Sequence, residues 1–177
     1  SGPGYGVRFA YKNTYVDGAM PNSWQKKNDF KINSDVNISD KITVTGGLNY
    51  LNTKAQGRPQ LGYDDNSVGQ KFFQWGQRQL DYDRLKAYTT STGEQRTWNR
   101  KSIDDPTPKY ADNPYWTQYE NFSDDVRNRL VGNVSVAYEI IDDLVLKGSA
   151  YGDYYNFTIR ERDALGSQAT SSYYEGV

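Results

Sequence analysis

The 177-residue chain contains no cysteine and no histidine. The first absence excludes disulfide frameworks, thiol nucleophiles and haem attachment. The two together exclude Cys/His zinc sites and every catalytic triad built on an imidazole. Most of the enzyme chemistry that a sequence can advertise is thereby removed, and neither an enzyme nor a cofactor or metal protein is expected. No run of about 18 apolar residues occurs, so no transmembrane helix is encoded. The first residues, Ser1-Gly2-Pro3-Gly4, have neither the basic nor the apolar region of a signal peptide. Charge of one sign is missing too: 21 Lys and Arg against 22 Asp and Glu leave a net charge of −1, which gives no overall footprint for nucleic acid. What is abundant is tyrosine, 16 residues, with 16 glycines, in a chain of mean hydropathy −0.91. So hydrophilic an average still accommodates a β membrane protein, because barrel strands need only about 9 to 11 alternating residues.

Alternation is present almost from the start. Val7, Phe9, Tyr11 and Tyr15 share one parity, and Arg8, Ala10, Lys12 and Thr14 the other, which predicts a strand over about 5–16. After the turn chemistry of Asp17-Gly18 and Met20-Pro21-Asn22-Ser23, a second strand is expected over about 28–38, with Phe30, Ile32, Val36 and Ile38 opposed to Asp29, Lys31, Asn33, Asp35 and Asn37. The tight link Ser39-Asp40-Lys41 leads into a third, about 42–51, where Ile42, Val44, Leu48 and Tyr50 alternate with Thr43, Thr45, Gly47 and Asn49. Two further strands follow the same rule at about 127–139 (Leu130, Val134, Val136, Tyr138) and 144–157 (Leu144, Leu146, Ala150, Tyr154), joined at Ile141-Asp142-Asp143. The tail from Arg160 to Val177 reads as loop.

Between these groups, over about 53–125, alternation disappears and turn punctuation takes over at Gly57-Arg58-Pro59, Gly62-Tyr63-Asp64, Asp105-Pro106 and Asp112-Asn113-Pro114. Ser67 with Gln70 fits a capping box, and Val68, Phe72, Trp75 and Tyr82 lie near one helical face, so a helix is expected within 67–88. A connection this long exceeds the usual median of about 4 to 6 residues more than tenfold and should have its own packing and a function.

Connection lengths carry information of their own. In an antiparallel meander both short links fall at one end and every long one at the other, the arrangement of outer-membrane barrels with short periplasmic turns and long extracellular loops. Tyr11, Tyr15, Tyr50, Tyr138 and Tyr154 sit on the apolar parity, mostly towards strand ends, as an aromatic girdle requires. The fold these features favour is all-β: an antiparallel meander of transmembrane β-barrel type, with a long extracellular loop containing a short helix. The rival is a secreted β-sandwich that binds carbohydrate, in which the same apolar parity is buried under a second sheet.

Adjacent acids at Asp64-Asp65, Asp104-Asp105, Asp124-Asp125 and Asp142-Asp143 read as solvated turns, since glycoside hydrolysis needs two carboxyls facing each other across a bond. Asp64-Asp65-Asn66 has the oxygen chemistry of a calcium loop without its full spacing or distal Glu. Gly2-Pro3-Gly4-Tyr5-Gly6 precedes a strand and so does not make a phosphate loop.

Two segments, Phe72-Phe73-Gln74-Trp75-Gly76-Gln77-Arg78-Gln79-Leu80-Asp81 and Asp112-Asn113-Pro114-Tyr115-Trp116-Thr117-Gln118-Tyr119-Glu120-Asn121, resemble SusC/RagA-type TonB-dependent outer-membrane transporters. The likeness continues through Arg129-Leu130-Val131-Gly132-Asn133, Ile141-Asp142-Asp143-Leu144, Gly166-Ser167-Gln168, Met20-Pro21-Asn22-Ser23 and Ser39-Asp40-Lys41, and so covers essentially the whole chain. Such transporters carry a plug domain, a TonB box and a barrel of about 22 strands. The resemblance implies that residues 1–177 are a segment of a large transmembrane β-barrel, supplying about five strands of one barrel domain in a larger polypeptide of the bacterial outer membrane, with plug and TonB box elsewhere. It implies import of oligosaccharides or peptides, a SusD-like surface lipoprotein as lid, the TonB complex as a partner reached through another part of the protein, and outer-membrane lipid around the wall.

Within that frame the loop aromatics Phe72, Trp75, Trp98, Tyr115, Trp116 and Tyr119 are candidate substrate or lid contacts, because flat rings with polar tips suit sugar faces and protein interfaces. The same rings equally suit the small core that a long ordered loop needs. Arg8, Lys12, Lys31, Asp35, Arg129, Lys147 and Asp153, on the polar parity of the strands, are candidate lumen or plug contacts.

Overall fold

In the computed structural model, which describes residues 4–58 and 60–168, five strands form one antiparallel sheet in the order β1-β2-β3-β4-β5. They run over Tyr5–Asp17, Trp24–Ser39, Ile42–Gln56, Phe122–Ile141 and Leu144–Arg162. Each is longer than its alternation alone suggests: β2 begins at Trp24, β4 at Phe122, and β5 continues into the part of the tail expected to be loop. The remainder of that tail from residue 169, and residues 1–3, lie outside the described residues.

Register is fixed by specific cross-strand pairs. Tyr11 stacks on Phe30 with ring centroids 4.6 Å apart, Phe30 faces Tyr50 at 6.3 Å, and Thr43 Oγ1 donates to Asn37 Oδ1 at 2.9 Å. Between β4 and β5, Ser135 and Ser149 join hydroxyls at 2.8 Å. The backbone N–H of Glu139 donates to Lys41 O at 2.8 Å, which brings the two tight turns, Asp40-Lys41 and Asp142-Asp143, to the same end of the sheet. Asp143 takes a positive φ of 70°, a conformation that the short polar side chain of Asp tolerates better than most.

The chain divides into two units. The sheet unit comprises the chain up to Val16, Gln25–Lys54 and Asp125–Thr158. Among its described residues no large apolar side chain is buried: Phe9 is 66% exposed, Val134 46% and Leu146 63%. Residues of the apolar parity share one face; the other carries most of the charged residues of the strands together with Val145, Tyr151, Tyr155 and Phe157 of β5. The second unit comprises Asp17–Trp24, Ala55–Asp124 and the chain from Ile159. Among the described residues the buried apolar side chains all lie here, Ala55, Val68, Leu85, Ala111 and Trp116, and they are outnumbered by buried polar residues.

Within this second unit the helix expected over 67–88 is broken. Ser67 caps it as expected, its Oγ accepting from Gln70 N at 3.3 Å, and α1 spans Val68–Gln70. The chain then widens into a π-helical turn over Lys71–Trp75 and leaves helical geometry at Gly76 (φ −71°, ψ 130°). A Cβ at Gly76 would lie 2.4 Å from Tyr82 Oη and 2.5 Å from Phe72 O, so only glycine fits that crossing. Asp81 restarts the helix as α2, Tyr82–Leu85, by accepting from Asp83 N and Arg84 N at 3.1 and 3.2 Å. The third helix, α3, spans Pro114–Tyr119.

Candidate functional site

The excursion is organised around Asp112 and Asn113, both fully buried. Asn113 is the N-cap of α3, its Oδ1 accepting from Tyr115 N at 2.8 Å, with Pro114 in the first turn where no N–H is missed. Its Nδ2 donates to Leu85 O at 3.0 Å and Arg96 O at 2.8 Å, and its backbone N–H to Gln95 Oε1 at 3.0 Å. One side chain thus ties α2, the Gln95 segment and α3 together. Asp112 Oδ1 accepts from Gln95 Nε2 at 2.6 Å and Gln168 N at 2.8 Å. Its Oδ2 has no hydrogen-bond partner among the described residues.

Lys71, 3% exposed, donates from Nζ to Asp65 O. Burial lowers its pKa against the opposing pull of Asp112, Asp65, Asp64 and Asp163. Burial raises the Asp112 carboxyl above its ordinary value, partly offset by the bonds from Gln95 and Gln168 and by the Lys71 charge. Each of the two buried groups therefore moves towards its neutral form.

The six loop aromatics divide. Trp116 is 5% exposed and donates from Nε1 to Ser167 Oγ at 2.9 Å, while Ser167 Oγ donates on to Asn121 Oδ1 at 2.7 Å. It is core, which corrects its expected place among the surface contacts: an indole enclosed on all sides has no face left for a sugar or a lid. Tyr119 stays on the surface, stacked on Tyr88 with centroids 5.4 Å apart and planes at 4°. Trp75 stacks on Tyr110 at 5.7 Å and 4°, Phe72 leans on Tyr82 at 5.0 Å, and Trp98 and Tyr115 are half-buried. Phe73, not singled out by sequence, is 94% exposed. At roughly 100° per residue it lies about 140° from Val68, on the face opposite Phe72 and Trp75. With Phe73 go Leu61, Tyr63 and Ile103, each more than four-fifths exposed.

A polar cavity of about 130 Å³ lies in the same unit, lined among others by Asn66, Thr117, Gln118, Asn121, Glu161 and Asp163. Its walls hold one another: Gln60 Nε2 donates to Glu161 Oε1 at 2.8 Å, Asn66 Nδ2 to Asp163 Oδ1 at 2.7 Å, and Asn121 Nδ2 to Asn66 Oδ1 at 2.9 Å. Thr117 Oγ1 is buried there without a partner among the described residues. Such an array of amides, carboxylates and a free hydroxyl hydrogen-bonds hydroxyl or amide groups of a small ligand. Asp64 of the considered calcium loop instead closes a turn, its Oδ1 accepting from Asn66 N at 2.8 Å. No cluster of three or more acidic side chains suited to a metal ion occurs among the described residues.

On the sheet unit, Arg8, Lys12, Lys31, Asp35, Arg129, Lys147 and Asp153 are all exposed. Arg129 and Asp153 meet in a two-pronged ion pair at 3.0 and 2.6 Å, and Lys31 pairs with Asp29 at 3.5 Å. Asp35 lies over Gly6, where a Cβ would be 2.6 Å from its Oδ1, and shares a shallow polar groove with Arg8, Asn33, Thr45 and Asn133. Lys12 and Lys147 make no ion pair among the described residues. Compared with protein-family models, curated proteins and solved structures, the chain finds no match in any of the three.

Proposed function

We propose that this chain is a stretch of transmembrane β-barrel wall with one long surface excursion, part of a SusC/RagA-type, TonB-dependent importer of oligosaccharides or peptides in the bacterial outer membrane. One observation carries the reading: a sheet of strands 13 to 20 residues long has an aliphatic and aromatic face on which no large side chain is buried and a second face that carries most of its charges, with no apolar core among its described residues. In water such a face is a liability; against hydrocarbon it is the expected surface, and the charged side then lines a wet lumen or meets a plug. Outer edges at β1 and β5 are the places where further strands of a closed wall would pair.

The excursion contributes the extracellular face. Its exposed rings, Phe73, Tyr119 and Tyr110, the last stacked on the half-buried Trp75, together with the exposed charges of Arg78, Asp81, Asp83 and Arg84, support docking of a SusD-like lipoprotein lid. Energy coupling belongs to parts of the protein outside this sequence. The test is fluorescence quenching by brominated lipid of single tryptophans placed at Val44 and at Thr45 in the reconstituted polypeptide. Quenching at Val44 but not Thr45 is expected. Protection of Val44 from both lipid and aqueous quenchers would instead favour the secreted carbohydrate-binding sandwich.

A further inference from the structure

We propose that Lys26 and Lys54, with the asparagine row beside them, hold the phosphate of a lipid headgroup. The inference rests on the membrane reading and adds a ligand to the wall's outer face. Side chains of one parity along β2 and β3 change character in a fixed order. From the tight turn come aliphatic residues, Val36 with Val44 and Ile32 with Leu48, and then an aromatic row in which Phe30 is flanked by Tyr11 and Tyr50.

Two residues further lies an amide row built twice on one plan. Asn28 Oδ1 accepts from Tyr11 Oη at 2.9 Å and Asn13 Nδ2 at 2.7 Å; Asn128 Oδ1 accepts from Tyr50 Oη and Asn52 Nδ2, both at 2.8 Å. In each case a Tyr-x-Asn on one strand saturates the oxygen of an Asn on the next. The Nδ2 groups of Asn28 and Asn128 are left as donors with no acceptor among the described residues.

Two residues beyond the amides come the cations. The register set by Phe30 opposite Tyr50 and Asn37 opposite Thr43 puts Lys26 directly opposite Lys54. Both are exposed, and neither has an ion pair among the described residues. Like charges directly opposed across a strand pair repel, so a bound anion between them removes a cost as well as forming contacts. Aliphatic, aromatic, amide and cationic side chains in that order match the passage of a bilayer from acyl chains through the interface to phosphate. The spacing agrees: four residues from Phe30 to Lys26 span about 13 Å of strand, or about 10 Å of depth at a tilt of roughly 40°. A headgroup layer of about 5 to 8 Å lies within reach of lysine stems from there.

The experiment reconstitutes the polypeptide in phosphatidylcholine vesicles and compares the association of spin-labelled phosphatidic acid with that of spin-labelled phosphatidylcholine. A preference for the phosphate lipid is expected, falling about fivefold with each of Lys26→Gln and Lys54→Gln. Lys27→Gln, the same charge change on the opposite parity, should leave it unaltered. An unchanged preference in the double variant overturns the site, as does a loss equal to that caused by Lys27→Gln. Lysine-dependent capture of an acidic protein with no lipid preference also overturns it, by assigning the pair to a protein contact. Absence of any motionally restricted phosphatidylcholine, in wild type and variants alike, removes the membrane reading itself and the site with it.

Discussion

The two units of this chain treat polarity in opposite ways. Among its described residues the sheet unit buries none of its large apolar side chains, whereas the excursion fills its interior with Asp112, Asn113, Gln95, Asn121 and Lys71 around a handful of apolar residues. Between the two edges the sheet's backbone groups pair with neighbouring strands, so its side chains are free to match whatever lies on each face. The excursion has little regular structure, and side chains must do for its backbone what ladders do in the sheet. Asn99 illustrates this: its Oδ1 takes three successive backbone N–H groups, from Lys109, Tyr110 and Ala111, at 2.8 to 3.1 Å. Buried polarity here is a substitute for secondary structure.

If that contrast is correct, the hardest blow to the excursion is Asn113→Ala. It removes the α3 cap and strands the carbonyls of Leu85 and Arg96, and should cost about 3 to 5 kcal/mol while leaving the sheet intact. Hydrogen exchange read separately for the two units checks this; loss of protection in β2 and β3 as well would mean that the units do not fold independently. Next is Val134→Arg, expected to cost about 2 to 4 kcal/mol in urea unfolding from vesicles, against a much smaller effect for Thr45→Arg on the other parity. Ser135 is no control for it, because it is buried against Ser149. Equal losses at positions 134 and 45 would erase the difference between the faces.

A smaller effect separates the units by pH. The folded excursion keeps a proton on Asp112 that the unfolded chain releases, because burial raises that carboxyl. The stability this contributes is full below the ordinary carboxylate value of 3.8 and is lost as pH rises through the raised one. Mild acidification should therefore stabilise the excursion, with a slope of at most about 1.4 kcal/mol per pH unit, and Asp112→Asn should flatten it. Lys71 acts at the other end of the scale. Burial lowers its pKa, so the cost of its charge is present below the lowered value and is relieved as pH rises towards 10.5. Urea unfolding followed by Trp116 fluorescence between pH 4 and 7 reads the acid side. The smallest change is Asp143→Gly, which relieves the positive φ in the tight turn and should add about 0.5 kcal/mol to the sheet alone.

The sheet was legible because a strand's two faces are written at period 2 in the local sequence, and the residues that set its register, Phe30 and Tyr50 among them, stand on the parity that alternation assigns to them. Strand ends were less legible. Trp24–Asn28 and Phe122–Val126 carry polar residues on both parities, so alternation fades before the ladder does. In the excursion the caps at Ser67 and Asn113-Pro114 are written in the sequence, but the second reads equally well as a plain turn. What no local pattern could disclose is which aromatic goes inside. Trp116 is buried by a partner about fifty residues away, Ser167, which accepts from its N–H.

The hydrogen bond from Gly57 N to Ser123 O, 2.9 Å, closes the excursion at its base and bears on how the sheet assembles in time. Two of the four strand pairings are closed by tight turns and a third by a six-residue connection, while β3 and β4 are separated by roughly 65 residues. Bringing their ends together from an open chain costs about 3 kcal/mol more in loop entropy than closing a two-residue hairpin, at about 0.6 kcal/mol per doubling of length. An excursion that has already gathered its own ends meets that cost before the strands pair. Variants that loosen the base should then slow the registration of β4 on β3 while β1–β2 and β4–β5 form at their usual rates, so that the excursion acts as a timing element in assembly as well as a surface.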